Sequence, residues 1–190
     1  MIANARRLLI IGCGNPHAGD DSAGPEIIRR LSARGGCGCE LRAEPVPGVE
    51  LLELFPLAEV ILIVDAVSSG GEPGTLYLTS LPSKELESRA LGLISSHGWG
   101  LSEALQLAHA LGRTTPRLFL LGIEAGTVVK GALRSAPVEA AVGLVVERIA
   151  GLRALLLASE FITTHSFAPD DRSFPGKGAE INPGGAAGSA

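Results

Sequence analysis

The run from Leu8 to Gly24 limits the folds open to this chain more than any other stretch. It begins with the continuous apolar segment Leu8–Cys13, passes through a glycine-rich turn and continues into a helix-like segment. A short strand that is apolar on both faces is typical of a parallel sheet covered by helices on each side. We therefore expect Leu8–Cys13 to be the first strand of an α/β fold. The turn then lies at the carboxyl end of that strand, where such sheets bind ligands.

The rest of the chain repeats this alternation of strands and helices. Further strand-like runs are Glu40–Val46, Glu59–Val67, Thr75–Thr79 and Arg117–Ile123. Helix-like segments are Ala23–Ala33, Gly48–Leu57, Leu101–Leu111 and Pro137–Leu157. This order predicts a three-layer α/β/α sandwich around a mostly parallel twisted sheet. Within it, Thr75–Thr79 is predicted to be an antiparallel edge strand.

The composition indicates a folded protein without nucleic-acid or membrane partners. The chain has 190 residues, 46% of them hydrophobic and 19% charged, which suits one domain with its own core. We assign residues 1–158 to that domain and expect the Gly- and Pro-rich residues 159–190 to be a mostly disordered tail. The net charge of −4 and the lack of a long basic run argue against nucleic acid. With no membrane-spanning run and no signal-peptide pattern, we expect a cytoplasmic location.

The three cysteines do not form a disulfide framework. Cys37 and Cys39 have C-x-C spacing, unlike the C-x-x-C of zinc sites, and we expect two thiols in a glycine-rich turn. Cys13 ends the first strand, where a small buried residue is expected rather than a nucleophile.

Acidic residues follow two of the predicted strands directly. Asp20 and Asp21 lie in the first turn, Asp65 lies near the end of the run Glu59–Val67, and His97 precedes a helix that returns to the sheet. Because the carboxyl ends of parallel strands share one edge, we expect these side chains to converge. Two carboxylates and an imidazole bind a divalent transition ion and leave positions open for water or substrate. Alternatively, these residues have structural roles only. Asp65 then caps a helix, His97 hydrogen-bonds a loop backbone, and Asp20 and Asp21 lie in a solvated turn.

The first turn also begins like a dinucleotide-binding loop. Gly12 and Gly14 follow a strand, but the third glycine of that fingerprint falls at His17, and two carboxylates occupy the position of a pyrophosphate. Both features argue against nucleotide binding. A nucleotide-binding α/β domain is kept as an alternative hypothesis. We expect His17 to be exposed rather than to act as a ligand. No G-x-S-x-G elbow is present, which argues against a serine hydrolase.

Together these residues resemble the hydrogenase maturation proteases, endopeptidases that trim the large subunit of nickel–iron hydrogenases. The shared motifs are G-x-G-N-x-x-x-G-D-D-x-x-G at 12–24, V-D-A at 64–66, P-G-T at 73–75, S-H-x-x-G-L at 96–101 and G-I at 122–123. The resemblance implies an α/β sandwich around a mostly parallel sheet. It assigns Asp21, Asp65 and His97 to contact with nickel. Asp20 is then a residue that orients a ligand or acts as a base.

The resemblance also implies a reaction and a partner. Nickel is carried by the [NiFe]-hydrogenase large-subunit precursor, and a C-terminal peptide is removed from it by a monomer that needs no organic cofactor. A different class of function, a nickel-binding maturation factor that docks without cleaving, would use the same three ligands. Residues 132–137 read Ala-Leu-Arg-Ser-Ala-Pro where the family has a G-L-S-P-like turn. This departure bears on the choice of substrate more than on the reaction.

Overall fold

A six-stranded sheet forms the centre of the protein. The computed structural model describes residues 8–44, 51–81, 106–160 and 162–175. The strands are β1 (Leu8–Cys13), β2 (Glu40–Glu44), β3 (Val60–Val67), β4 (Leu76–Leu81), β5 (Arg117–Glu124) and β6 (His165–Phe167). In the order β2-β1-β3-β5-β4-β6, the first four strands are parallel and β4 is antiparallel to both β5 and β6. The predicted mostly parallel sheet is confirmed, although β6 rather than β4 forms its edge.

Helices cover both faces of the sheet, as predicted for a three-layer sandwich. On one face lie α1 (Ala23–Ala33) and α3 (Ala136–Ala158), which pack against each other. On the other face lie α2 (Leu51–Leu54) and the helical residues 106–110. All residues of β3 are buried, because this central strand has a helical layer on each side. No helix in the described ranges is long and apolar enough to cross a membrane.

The predicted helices differ from the structure mainly in length. The bounds of α1 are those predicted, and α3 is one residue longer at each end. In place of a helix over Gly48–Leu57, α2 is one turn long and continues as the 3₁₀ turn Phe55–Leu57. Pro56 in that turn donates no backbone hydrogen bond and so does not extend the α-helix. Residues 48–50 and 101–105 of the predicted helices lie outside the described residues.

The prediction of a mostly disordered tail after residue 158 is wrong for residues 162–175. This segment contains β6, which pairs with β4 and so covers its otherwise unpaired backbone groups. Phe167 and Phe174 are buried in the core on the α1 and α3 side and meet edge to face, with ring centroids 5.3 Å apart. Two aromatic side chains therefore attach a stretch whose overall composition is polar. Residues 176–190 lie outside the described residues.

A disulfide joins Cys37 and Cys39, so the prediction of two thiols is wrong. Their Cα atoms are 5.2 Å apart, within the range that a disulfide spans. The bond lies in the turn between α1 and β2. There Gly35, Gly36 and Gly38 have positive φ angles, which glycine adopts without steric cost and which allow the chain to reverse sharply.

Candidate active site

Close packing of α1 on β1 places the acidic turn at the carboxyl edge of the sheet. A Cβ atom on Gly12 would lie 2.3 Å from the carbonyl oxygen of Gly24, and a Cβ on Gly24 would lie 2.3 Å from a backbone oxygen of β1. Glycine at both positions therefore allows the start of α1 to approach the strand more closely than any side chain permits. The 3₁₀ turn Gly19–Ser22, which carries Asp20 and Asp21, directly precedes this contact.

Asp65 lies on β3 at the same edge of the sheet. Side chains alternate along a strand, so Asp65 shares the face of Ile63, on the side covered by α2 and residues 106–110. Cys13, the last residue of the neighbouring β1, is buried on that face as well. The Asp65 side chain is also buried, and its Oδ1 accepts a hydrogen bond from the N–H of Ala66 at 2.9 Å.

The pKa of the Cys13 thiol reflects the negative charges of carboxylates at this edge of the sheet. Burial raises its pKa most, and the negative charges of Asp65, Glu44 and Asp21 raise the pKa further. Three carboxylates thus lie near enough to one sulfur atom to act on it electrostatically. Cys13 is fully buried, which confirms the predicted burial, and a raised pKa disfavours the nucleophilic thiolate form. Glu44, at the end of β2, was not identified from the sequence.

The Asp21 carboxylate is oriented by its own turn. Its Oδ2 accepts a hydrogen bond from the N–H of Asn15 at 2.8 Å, and within the described residues no second donor reaches this side chain. Gly14 makes the approach possible, because its φ angle is 121° and a Cβ there would lie 2.0 Å from the Asp21 carbonyl oxygen. Asp21 is therefore buried and fixed in place, with most of its acceptor capacity unused by the described part of the chain.

Asp20, in contrast, is bound by donors from a distant loop. This loop joins β5 to α3, and the exposed fraction of Asp20 is 0%. The N–H groups of Gly126 and Thr127 donate to Oδ2, each at 2.8 Å. Ser135 donates from its N–H to Oδ1 at 2.6 Å and from its hydroxyl to Oδ2 at 3.0 Å.

These bonds decide the charge state of Asp20. Burial alone raises the pKa of this carboxyl, but the hydrogen bonds from Ser135, Thr127 and Gly126 outweigh burial and lower the pKa below its ordinary value. A carboxylate with four donors and no exposure is suited to anchoring a loop. The geometry thus supports the orienting role predicted for Asp20 over the role of a base.

The loop between β5 and α3 contacts the acidic turn at further points. The N–H of Gly131 donates to the carbonyl of His17 at 2.7 Å. The Arg134 guanidinium donates to the Ser22 hydroxyl at 2.8 Å and pairs with Glu139 of α3 at 3.0 Å. The segment that departs from the family turn is therefore the one that holds the first turn in place. The His17 side chain itself is exposed, as predicted.

Glu124 is a second buried anchor that the sequence analysis missed. It ends β5 and accepts hydrogen bonds from the N–H groups of Ser69, Gly70 and Gly71 at 2.8, 2.9 and 3.2 Å. The Ser69 hydroxyl donates to it as well. These bonds fix the loop that follows Asp65. Glu124 could have been identified from the sequence, because it is a carboxylate near the end of an apolar strand, as Asp65 is.

His97 lies outside the described residues, so its convergence with Asp21 and Asp65 stays a prediction. The helical residues 106–110 follow it in the chain, and Ala108 packs in the apolar cluster on the face of Asp65. In the part of the chain that the structure describes, no three His, Cys, Asp or Glu side chains are grouped to hold a metal ion. Asp21 and Asp65 are two of the three predicted ligands.

The chain is similar in sequence and fold to known hydrogenase maturation proteases. The HycI hydrogenase maturation protease family model matches residues 47–152, more than half of the chain. The hydrogenase 2 maturation protease of Escherichia coli is 29% identical over 120 residues, 62% of this chain and 72% of that protein. Hydrogenase expression/formation protein HupD of Rhodobacter capsulatus is 26% identical over 120 residues, 62% of this chain and 57% of that protein.

Solved structures show the same fold. The [NiFe] hydrogenase maturation protease HybD from Thermococcus kodakarensis is 28% identical with a TM-score of 0.63, covering 79% of this chain and 99% of that one. The hydrogenase maturating endopeptidase HybD from Escherichia coli has a TM-score of 0.65, covering 85% of this chain and 97% of that one. At 23% identity, this second likeness concerns the fold alone.

Proposed function

Because the chain belongs to the hydrogenase maturation protease family and is a peptidase, we propose that it removes a C-terminal peptide from a nickel-loaded [NiFe]-hydrogenase large-subunit precursor. The observation that carries this proposal is the burial of two carboxylates at the carboxyl edge of the sheet, Asp21 in the first turn and Asp65 on β3. Two buried carboxylates at that edge form the acidic half of the predicted ligand set. The loops around them are held by the anchors Asp20 and Glu124.

We assign Asp21, Asp65 and His97 to contact with the nickel of the precursor. Carboxylate and imidazole ligands suit a divalent transition ion with open coordination positions. The metal is part of the substrate, where it polarises the scissile carbonyl or lowers the pKa of an attacking water. Cleavage then depends on nickel insertion, because the protease residues recognise the metal together with the chain that carries it.

The contribution of the protein is a preorganised acidic site. Asp21 and Asp65 are buried, so their charges act through a medium of lower effective dielectric than water. The backbone bond from Asn15 and the anchoring of Asp20 fix the first carboxylate before substrate arrives. Such groups need little reorganisation during the reaction, which is the main source of electrostatic catalysis.

The test is a processing reaction read by mass spectrometry. Purified protein is mixed with large-subunit precursor, with and without nickel, and we expect a C-terminal peptide to be released only from the nickel-loaded form. Asp65→Asn is expected to abolish release. The matched control is Asp170→Asn, which changes an exposed aspartate after β6 and should process normally. Nickel-dependent binding without cleavage would instead identify the chain as the docking factor, and equal cleavage by Asp65→Asn would refute the site.

A further inference from the structure

The loop between β5 and α3 exposes several large apolar side chains. Across the described residues, six large hydrophobic side chains are exposed, and three of them lie in this loop. The exposed fractions are 58% for Val128, 55% for Val129 and 91% for Leu133. Single exposed apolar residues are ordinary on protein surfaces, whereas a group on one short loop is typical of an interaction site. We refer to these three residues as the apolar loop surface.

The backbone beneath the apolar loop surface is firmly held. Gly126, Thr127 and Ser135, on either side of the three residues, all donate hydrogen bonds to Asp20. Between them, the N–H of Ala132 donates to the carbonyl of Val129 at 3.1 Å and closes a turn. A loop with this many fixed points presents its side chains in one arrangement. Preorganisation of this kind lowers the entropic cost of binding a partner.

The apolar loop surface adjoins the acidic turn. A Cβ atom on Gly19 would lie 2.6 Å from the carbonyl oxygen of Thr127, 3.5 Å from the amide nitrogen of Val129 and 3.6 Å from the Cβ of Ala132. The turn that carries Asp21 and the loop are therefore in direct contact. The loop therefore lies beside the path by which a protein substrate would reach Asp21.

The loop also has the charge pattern of an interface core. Residues 125–135 contain no acidic side chain. Of the two basic residues, Arg134 is engaged with Ser22 and Glu139, which leaves Lys130 as the free charge of the loop. Interface cores are depleted in charged groups and rich in apolar contact area.

We propose that the apolar loop surface is a docking site for apolar side chains of the hydrogenase large-subunit precursor. This proposal rests on the proposed function, since it names a second contact with the same substrate. The occupant follows from position, because the loop that bears these side chains directly contacts the turn that carries Asp21. It contributes affinity for the body of the precursor, while the acidic site acts on the metal and the scissile bond.

The experiment compares steady-state processing of nickel-loaded precursor by matched variants. Leu133→Ser and the double variant Val128→Ser/Val129→Ser remove the apolar surface, and each is expected to raise KM at least about tenfold with kcat little changed. The reason is that docking contributes equally to the ground and transition states. Leu133→Ile keeps the apolar area and should process like wild type. Leu57→Ser is the control, since Leu57 is an exposed leucine just before β3, at the opposite edge of the sheet.

Each other result counts against the proposal in a distinguishable way. Normal KM in both serine variants overturns the docking site but leaves the protease assignment intact, because wild type still cleaves. A fall in kcat at unchanged KM shows that the loop acts by shaping the acidic turn, which also overturns docking. If wild type is a dimer that Leu133→Ser dissociates without a change in KM, the surface binds a second copy instead. If wild type neither binds nor cleaves precursor, the proposed function and the docking site fail together.

Discussion

Replacing Asp20 by asparagine tests whether this residue anchors the acidic turn. The amide nitrogen of asparagine must replace one carboxylate oxygen. The amide nitrogen costs least at the position of Oδ1, which accepts only the Ser135 N–H, because the position of Oδ2 accepts three donors. One buried N–H then loses its acceptor, which costs about 1–3 kcal/mol, and the remaining bonds lose their charge-assisted strength. We expect the free energy of unfolding to fall by about 3–5 kcal/mol, a large part of the ~5–15 kcal/mol typical of a domain.

The same anchor makes stability depend on pH in a defined direction. The pKa of Asp20 is lower in the folded protein than its ordinary value of 3.8, because its hydrogen bonds outweigh the effect of burial. A carboxyl with a depressed folded pKa stabilises the protein above its unfolded pKa, and this stabilisation is lost as the pH falls through the folded pKa. The stability difference between wild type and Asp20→Asn should therefore be full at pH 7 and shrink at pH values below the ordinary pKa.

Urea unfolding followed by circular dichroism measures both quantities. Titrations at pH 7 and pH 3 give the free energy of unfolding of each variant. Asp170→Asn, which removes an exposed aspartate, is the control and should differ little from wild type at either pH. An Asp20→Asn protein as stable as wild type at pH 7, or a stability difference that does not decrease in acid, would refute the anchoring role.

Three further predictions concern other parts of the site. Asp21→Asn and His97→Ala should each reduce precursor processing at least about a hundredfold while the thermal unfolding midpoint stays near that of wild type, and normal processing by either would remove that residue from the site. Glu124→Gln should lower the free energy of unfolding by about 1–3 kcal/mol in urea titrations, because the loop that follows β3 loses one oxygen acceptor. An unchanged free energy of unfolding would contradict the role of Glu124 as an anchor. Gly24→Ala should lower the free energy of unfolding by about 3 kcal/mol or more in the same titrations, because its Cβ would meet backbone atoms. The control Gly143→Ala in α3 meets nothing within 4 Å and should be neutral or stabilising. Similar values for both variants would refute the close contact at Gly24.

The parts of the fold that follow from local pattern could be predicted. β1 and α1 have the predicted bounds, because a continuous apolar run and an amphipathic period are properties of the residues themselves. The location of Asp65 also followed, since a carboxylate near the carboxyl end of a buried parallel strand lies at that edge of the sheet by topology alone.

The roles of Asp20 and Asp21 could not be separated from the sequence. They are identical neighbours in one turn, and the difference between them comes from Ser135, more than a hundred positions away in the chain. The attachment of residues 162–175 was hidden for the same reason. Phe174 is buried because other elements provide a pocket, and nothing in its own polar surroundings indicates this. Non-local contacts of this kind leave no periodic signal.

Two of the four buried carboxylates in the described residues serve as anchors for loops from elsewhere in the chain. Asp20 and Glu124 each accept four hydrogen bonds from donors in other loops. Asp21 accepts one from Asn15, and its charge acts on the same buried thiol as the charge of Asp65. A divalent cation beside two buried carboxylates interacts favourably with both of their charges. Under the proposed function, the nickel of the precursor is that cation. Binding of correctly loaded substrate therefore gains this interaction, which a precursor without metal lacks.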